Sequence, residues 1–208
     1  MRYPHVRVNQ AYRVTNPTFG TGIIQNNDQA FAATKPLLLV FNGDAAGGVS
    51  IYLDYIKLIN AAAGGSASSA HLAMILDTVD RYSAGGSRLT TTPGAVNPNS
   101  GLAVTAKARI DFGAVTAIAA SAARQIARDM VKTQAAPCWT VGDEVYVKFD
   151  TLDFSPALSS GAGTAIFGVP SGPVIIGPGH SFLLYLWHPA VVTAPQWEIE
   201  MAWWEDKS

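Results

Sequence analysis

Two strand-like runs rich in aromatic residues lie near the end of the chain, within residues 173–205. From position 197 onward apolar and polar residues alternate, which predicts a half-buried antiparallel strand. Its inward row is Trp197, Ile199, Met201 and Trp203, and its outward row is Glu198, Glu200, Ala202 and Trp204. The preceding run, 182–187, is apolar on both faces. This predicts a central strand that is covered on both sides or has one side in a subunit contact.

Shorter apolar or alternating runs, bounded by Gly, Pro and Asn, predict further strands. They are 11–15, 22–25, 36–42, 49–59, 71–82, 103–112, 145–149 and 164–169. Between them, turn-rich composition predicts loops at 61–69, 87–100 and 155–163, and turns at Gly85-Gly86 and Pro178-Gly179.

Residues 116–132 carry a different periodicity. Their apolar positions recur at helical spacing, and alanine, which has the highest helix propensity, is frequent among them. This pattern predicts one short helix, although an all-β context favours a strand at the same place.

The succession of short strands separated by Gly, Pro and Asn turns predicts an all-β protein, a jelly-roll-like antiparallel β-sandwich with long loops. At 208 residues the chain fits one such domain. We expect residues 36–208 to form the sandwich, and residues 1–35, low in charge, to form an N-terminal arm or edge strands.

The composition is low in charge. Charged residues are 14% of the chain, against about 25% in average soluble proteins, while 49% are hydrophobic. Much of the surface is therefore expected to be neutral or covered by partners. The net charge of −1 gives no support to nucleic-acid binding, which needs clustered Lys and Arg.

Charge is divided unevenly along the chain. Residues 1–142 carry twelve basic and seven acidic side chains, a net charge of +5, whereas residues 143–208 carry two basic and eight acidic, a net charge of −6. The two parts are expected to attract each other within the fold or between copies.

The sequence has one cysteine and no pattern typical of a signal peptide or a membrane span. Cys138 is the only cysteine, which excludes an internal disulfide and predicts a small buried residue. The first residues lack the apolar core of a signal peptide, and no run reaches the ~20 apolar residues of a membrane span. We therefore expect synthesis in a cytoplasm and no membrane insertion.

Candidate catalytic and metal sites are weak. His180 and His188 are eight residues apart, and an extended strand would separate them by roughly 26 Å. Neither His5 nor His71 has ligand-like neighbours. No Gly-x-Ser-x-Gly motif or phosphate-binding loop is present. We expect no enzyme activity, no metal and no cofactor, and we interpret Glu198 and Glu200 as a solvated strand face.

The segment PVIIGPGHSFLLYLWHP and the amphipathic strand after it resemble the closing strands of jelly-roll virion proteins of tailed bacteriophages, of the head decoration or cement type. YLDYIKLINAAAG and DRYSAGGSRLTTTP are similar to segments of phage structural proteins. The resemblance implies a capsid-surface protein of the virion, bound to the major capsid protein. No residue role is carried over from it.

Two alternative functions therefore remain, one structural and one a binding function. The first is a structural virion protein that decorates and stabilises a capsid as a homo-oligomer, with a trimer expected. The second is a carbohydrate- or receptor-binding β-sandwich of a phage particle, in which tryptophans stack on sugar rings. Because a Trp-rich strand is most often core or interface, the first is favoured, with Tyr185, Trp187 and Trp204 as interface residues.

Overall fold

The computed structural model describes residues 10–62, 65–102, 104–119, 124–135, 137–149, 164–169, 173–190 and 193–207. Over these residues the regular secondary structure is almost entirely β-strand. They are β1 (Ala11–Thr15), β2 (Ile23–Ile24), β3 (Leu38–Asn42), β4 (Ser50–Ala62), β5 (Ser68–Asp77), β6 (Tyr82–Arg88), β7 (Ala108–Ala117), β8 (Arg124–Ala135), β9 (Glu144–Phe149), β10 (Thr164–Val169), β11 (Ile175–Ile176), β12 (Ser181–Trp187) and β13 (Gln196–Asp206).

Two sheets pack as a sandwich. Sheet I has the order β1-β13-β4-β9-β10, with β2 beside β13 and β11 beside β4, and sheet II has the order β6-β7-β3-β12-β5-β8. Eight of these strands, taken in chain order as β1, β3, β4, β5, β8, β9, β12 and β13, have jelly-roll connectivity. One sheet holds the first, eighth, third and sixth of them, and the other holds the second, seventh, fourth and fifth. The hairpin β6–β7 is an insertion that extends sheet II.

The inner faces of the two sheets form the main hydrophobic core. On β13 the predicted inward row is confirmed, since Trp197, Ile199, Met201 and Trp203 are all at most 3% exposed. Facing them from sheet II are apolar side chains such as Phe112 and Phe182, both completely buried. Cys138 is likewise buried, as the sequence predicts. Burial of these large side chains is the main stabilising term of the sandwich.

A β-bulge in β4 changes which side chains face the core. Met201 pairs with Ile56 and Trp203 pairs with Leu53, so β4 carries one extra residue over this interval. Leu53 and Ile56 consequently both point inward, whereas strict alternation would send Ile56 outward. Tyr52 and Tyr55 are then both placed on the outer side of sheet I, where they are half-buried.

The predicted helix at 116–132 is wrong over the described residues. Residues up to Ala117 belong to β7, and β8 runs from Arg124 to Ala135, paired with β5. Register shifts leave Ile126 and Val131 as extra residues on β8. Such bulges interrupt alternation, so Ile126 and Ala127 both pack against the core, which produced an apolar spacing like that of a helix.

Other boundaries also differ from prediction. The Gly85-Gly86 turn is absent, because both glycines lie inside β6 with φ near +70°, where its pairing with β7 is bulged. The loop predicted at 87–100 contains a π-helical turn, Thr90–Gly94. The strand predicted at 103–112 runs instead from 108 to 117. One pair, β9 with β10, is parallel. The loop predicted at 155–163 lies outside the described residues.

The outer side of sheet II is covered by the chain itself. Residues 26–35, which connect β2 towards β3 without forming a helix or strand, cross this side and are called the strap. Beneath it lies a second apolar cluster of Leu39, Ala73, Ile75, Val115, Ala117, Leu183, Tyr185 and Trp187. Strand β12, between β3 and β5, is therefore a central strand buried on both faces.

Candidate functional site

Two of the three predicted interface residues lie under the strap. Tyr185 is 4% exposed and Trp187 is 7% exposed. The ring of Phe31, on the strap, lies 5.0 Å from the Tyr185 ring and 5.6 Å from the Trp187 ring. The Tyr185 hydroxyl donates a hydrogen bond of 2.9 Å to the Ala33 carbonyl oxygen. In this arrangement both side chains anchor the strap.

Trp204 lies on the opposite side of the molecule, on the outer side of sheet I. As alternation along β13 predicts, it points away from the buried Trp203 and is half-buried. Its ring stacks on Tyr52 of β4, with centroids 5.4 Å apart and planes inclined by 6°. Tyr52 is in turn paired with Ile175 of β11, which is 42% exposed.

Two further tyrosines extend this surface across neighbouring strands. Tyr55 of β4 and Tyr146 of β9 contact each other edge to face, with centroids 5.5 Å apart, and both are half-buried. We call the side chains of Tyr52, Tyr55, Tyr146, Ile175 and Trp204 the aromatic face. It spans β13, β4, β9 and β11, all held in register by the backbone pairing of sheet I.

Charged groups of both signs are set among these rings. Tyr55 donates a hydrogen bond to the carboxylate of Glu200, and burial together with this carboxylate raises the pKa of the Tyr55 hydroxyl. Lys57 and Glu144 form an ion pair of 2.7 Å, joining the basic and acidic parts of the chain. The ammonium of Lys148 lies 5.1 Å from the centre of the Tyr146 ring. Half-buried aromatic rings interspersed with charges are suited to stacking and hydrogen bonding with a partner.

Only Trp204 of the aromatic face is singled out by the sequence. Tyr52, Tyr55 and Tyr146 lie in runs that the sequence predicts as strands, and alternation places Tyr146 outward on β9. Tyr52 and Tyr55 are three residues apart, so strict alternation would put them on opposite faces. The bulge in β4 brings them to the same side, and a bulge has no reliable signal in a single sequence.

A buried polar network lies at one end of the sandwich. The indole N–H of Trp139 donates to His188 Nε2 at 2.6 Å, and that of Trp197 donates to Gln25 Oε1 at 2.6 Å. The Gln25 amide nitrogen is 3.3 Å from His188 Nδ1. Burial, with a smaller contribution from His71, lowers the pKa of His188 to about 4. The network holds a neutral histidine between two tryptophans and the residue that precedes the strap.

A cluster of ion pairs lies where β6 and β7 join. Asp111, 1% exposed, accepts hydrogen bonds from Arg88 at 2.9 Å and Arg109 at 3.0 Å, and Arg109 also binds Asp80 at 2.6 Å. The Arg109 guanidinium stacks on Phe41 and Tyr82. Burial lowers the pKa of Arg109, but its two carboxylate partners outweigh burial and raise it. These charges neutralise each other, so we interpret the cluster as a structural one that stabilises the β6–β7 insertion.

The described histidines lie at different places in the fold, although His71 is close enough to His188 to affect its pKa. His180 and His188 flank β12 at its two ends, and His71 on β5 stacks on Trp187. His5 lies outside the described residues. Within the described ranges, no group of three or more His, Cys, Asp or Glu is arranged to hold a metal ion. In that same part of the chain, no helix is long and apolar enough to cross a membrane.

Comparisons with protein-family models, with curated proteins and with solved structures found no match. The aromatic face on sheet I is therefore assigned as the candidate functional site on its geometry.

Proposed function

We propose that the chain is a structural virion protein, which decorates and stabilises the capsid of a tailed bacteriophage as a homo-oligomer. The oligomer is a trimer on this proposal, and the major capsid protein is its partner on the particle. The jelly-roll connectivity of the sandwich supports this role, because viral capsid domains recur in this architecture. The sequence resemblance to phage decoration proteins points in the same direction.

The observation that carries the proposal is the aromatic face. Trp204, Tyr52 and Ile175 present a contiguous partly exposed apolar surface on a rigid sheet, with Tyr55 and Tyr146 beside it. Aromatic residues on rigid elements are the commonest anchors of protein interfaces. Contact between subunits would remove this surface from water, and closed symmetry would leave none of it open to further association.

Sedimentation equilibrium at micromolar concentration tests the oligomer directly. We expect a discrete oligomer for the wild-type chain and a shift towards monomer for Trp204→Ala, because the central ring of the contact is lost. Phe19→Ala is the matched control, since Phe19 is an aromatic residue that is 84% exposed in the loop between β1 and β2. A monomeric wild-type chain, or equal behaviour of the two variants, would contradict the proposed contact.

Cryo-electron microscopy of the parent particle tests the location. We expect jelly-roll density on the outer capsid surface, bridging neighbouring capsid subunits. Capsids assembled without the chain should disassemble at a lower temperature than complete capsids, and addition of purified chain should restore their resistance. Particles that lack the chain altogether would overturn the proposal.

Carbohydrate binding is the second candidate, and the same aromatic face favours it. Sugar rings stack on aromatic side chains, and the charged groups near Tyr55 and Tyr146 could hydrogen-bond to hydroxyls. Titration of the chain with a panel of oligosaccharides, monitored by tryptophan fluorescence, distinguishes carbohydrate binding from the capsid role. A saturable change that disappears in Trp204→Ala would support binding of sugars, and no change with any member of the panel would oppose it.

A further inference from the structure

Several polar contacts hold the strap to sheet II. The Asn26 side-chain amide donates to the Val115 carbonyl oxygen at 2.8 Å, and the Ala117 amide donates to the Thr34 carbonyl oxygen at 2.8 Å. The third contact is the hydrogen bond from Tyr185 to Ala33. Fourth, the backbone N–H of His188 donates to the Asp28 carbonyl oxygen at 3.0 Å. A segment without its own helix or strand depends on such contacts to stay in place.

His188 stands at the junction between the strap and the core. It is 1% exposed, and its backbone binds the strap while its side chain binds Trp139 and approaches Gln25. Because Nε2 accepts from the Trp139 indole N–H, the neutral ring carries its proton on Nδ1. A second proton would place an N–H on Nε2, directly opposite the Trp139 N–H. The Trp139 contact therefore favours the neutral ring over the imidazolium.

The Gln25 side chain cannot rotate to relieve this conflict. Its oxygen already accepts from the Trp197 indole N–H at 2.6 Å, so the amide nitrogen is the group turned to the His188 ring. The Nδ1–H of the neutral ring therefore finds no acceptor on Gln25, and a second proton on Nε2 would face the Trp139 N–H. An imidazolium would lose the Trp139 bond and would be buried without an acceptor, which is strongly unfavourable.

We propose that His188 is an acid-sensitive latch, whose protonation releases the strap and uncovers the apolar outer side of sheet II at Tyr185 and Trp187. Charged and titratable groups lie near it on several elements. His71 on β5 has a Coulombic influence on the His188 ring, and Asp28 on the strap is engaged by Lys35 at 2.8 Å. Asp143, after Trp139, accepts the Thr140 amide. Arg128 on β8 lies over the Trp187 ring.

The sign and size of the effect follow from linkage. With the strap closed the pKa of His188 is about 4, and with the strap open we expect the ordinary value of 6.5. Opening therefore binds a proton at pH values between these two, and the opening constant increases as the pH falls. From pH 7 to pH 4.5 the increase is roughly 50-fold.

Hydrogen–deuterium exchange read by mass spectrometry, with rates corrected for intrinsic pH dependence, measures this opening. At pH 4.5 we expect peptides covering 26–35, and the amides of Ala117 and His188, to exchange roughly 50-fold faster than at pH 7. Peptides from β4 and β13 in sheet I should keep their protection. If strap and core peptides lose protection together, the event is global unfolding and the latch is wrong.

Variants at two histidines make the test specific. His188→Gln supplies a neutral oxygen acceptor for Trp139, so strap exchange should become nearly independent of pH. His180→Gln, at the other end of β12, should behave like the wild-type chain. If His188→Gln keeps the wild-type pH response, the proposal is overturned.

A third variant keeps the test valid if His188→Gln folds poorly. Tyr185→Phe removes the hydroxyl that binds Ala33 and leaves the histidine intact. It should raise strap exchange roughly fivefold at pH 7 and retain the same pH response. Loss of the pH response in Tyr185→Phe would show that the latch is not His188.

Discussion

Adjacent tryptophans near the end of β13 have opposite surroundings. Trp203 is 1% exposed within the core, whereas Trp204 is half-buried against Tyr52. Truncation of the buried ring should lower the free energy of unfolding by about 3–5 kcal/mol. Loss of the Trp204–Tyr52 stack should lower it by only about 1 kcal/mol. Urea unfolding of Trp203→Ala and Trp204→Ala measures both, and equal effects would mean that the environments of the two rings are misassigned.

Glu205 joins the two sheets through its carboxylate. This buried group accepts hydrogen bonds from the backbone N–H groups of Lys107 and Ala108 and from the Trp203 indole. Glu205→Ala leaves three donors without this acceptor, so we expect a loss of about 3 kcal/mol or more in the free energy of unfolding. Glu205→Gln keeps one oxygen acceptor and should lose less. Chemical denaturation measures the free energy of unfolding of both variants. If Glu205→Ala unfolds with the same free energy as the wild-type chain, Glu205 does not have this role.

At the scale of elements, the existence of most strands was predictable from the sequence, whereas the positions of bulges within them were not. The bounds of β1 and β10 agree with prediction, and the inward row of β13 is confirmed. Strand β8 was predicted as a helix because its extra residues break the period of two. Propensity could not correct this error, since the alanine-rich sequence just before β8, residues 117–123, favours a helix until the pairing of β8 with β5 is considered.

The crossing of β7 and β2 offers a test of element packing. Gly113 has a φ of +101°, and a Cβ atom there would lie 2.4 Å from Ile23 Cγ2 and 2.9 Å from the Ile24 carbonyl oxygen. Gly113→Ala should therefore lower stability by more than backbone strain alone, which is about 1 kcal/mol. Gly142→Ala is the matched control, because φ is +90° there but no atom lies within 4 Å. In thermal unfolding, Gly113→Ala should have a lower melting temperature than Gly142→Ala. The reverse order would refute close packing at this crossing.

At the scale of the whole molecule, the sandwich class follows from strand count and turns, but the site does not. The aromatic face needs four strands in register, and sheet order depends on contacts far apart in the chain, such as β13 with β4. The strap likewise joins residues separated by more than 150 positions, as in the pair of Ala33 and Tyr185. Composition could indicate that apolar surface must be covered, but only the fold shows that the strap covers one such surface.

Three edge strands of the sandwich, β1, β6 and β8, are protected against pairing with other chains. Strand β1 is bridged by Val96, and β6 is bulged at Gly85 and Gly86. Strand β8, an edge of sheet II, carries exposed charges that include Arg124 and Asp129. Charges and bulges on edge strands discourage the addition of further strands. We therefore expect association to use the aromatic face and to avoid the edges.

Replacement of the charges on the β8 edge tests whether association uses the aromatic face and avoids the edge strands. In Arg124→Val with Asp129→Val the β8 edge loses two charges and gains β-branched side chains, so the folded protein should form irregular aggregates during incubation at 37 °C. The proposed oligomer should still form first, because the aromatic face is unchanged. Light scattering over time, after size-exclusion chromatography, measures both events. Arg124→Glu with Asp129→Arg keeps two charges at the same positions and should stay soluble. If the valine variant also stays soluble, the β8 bulges alone suffice to protect this edge.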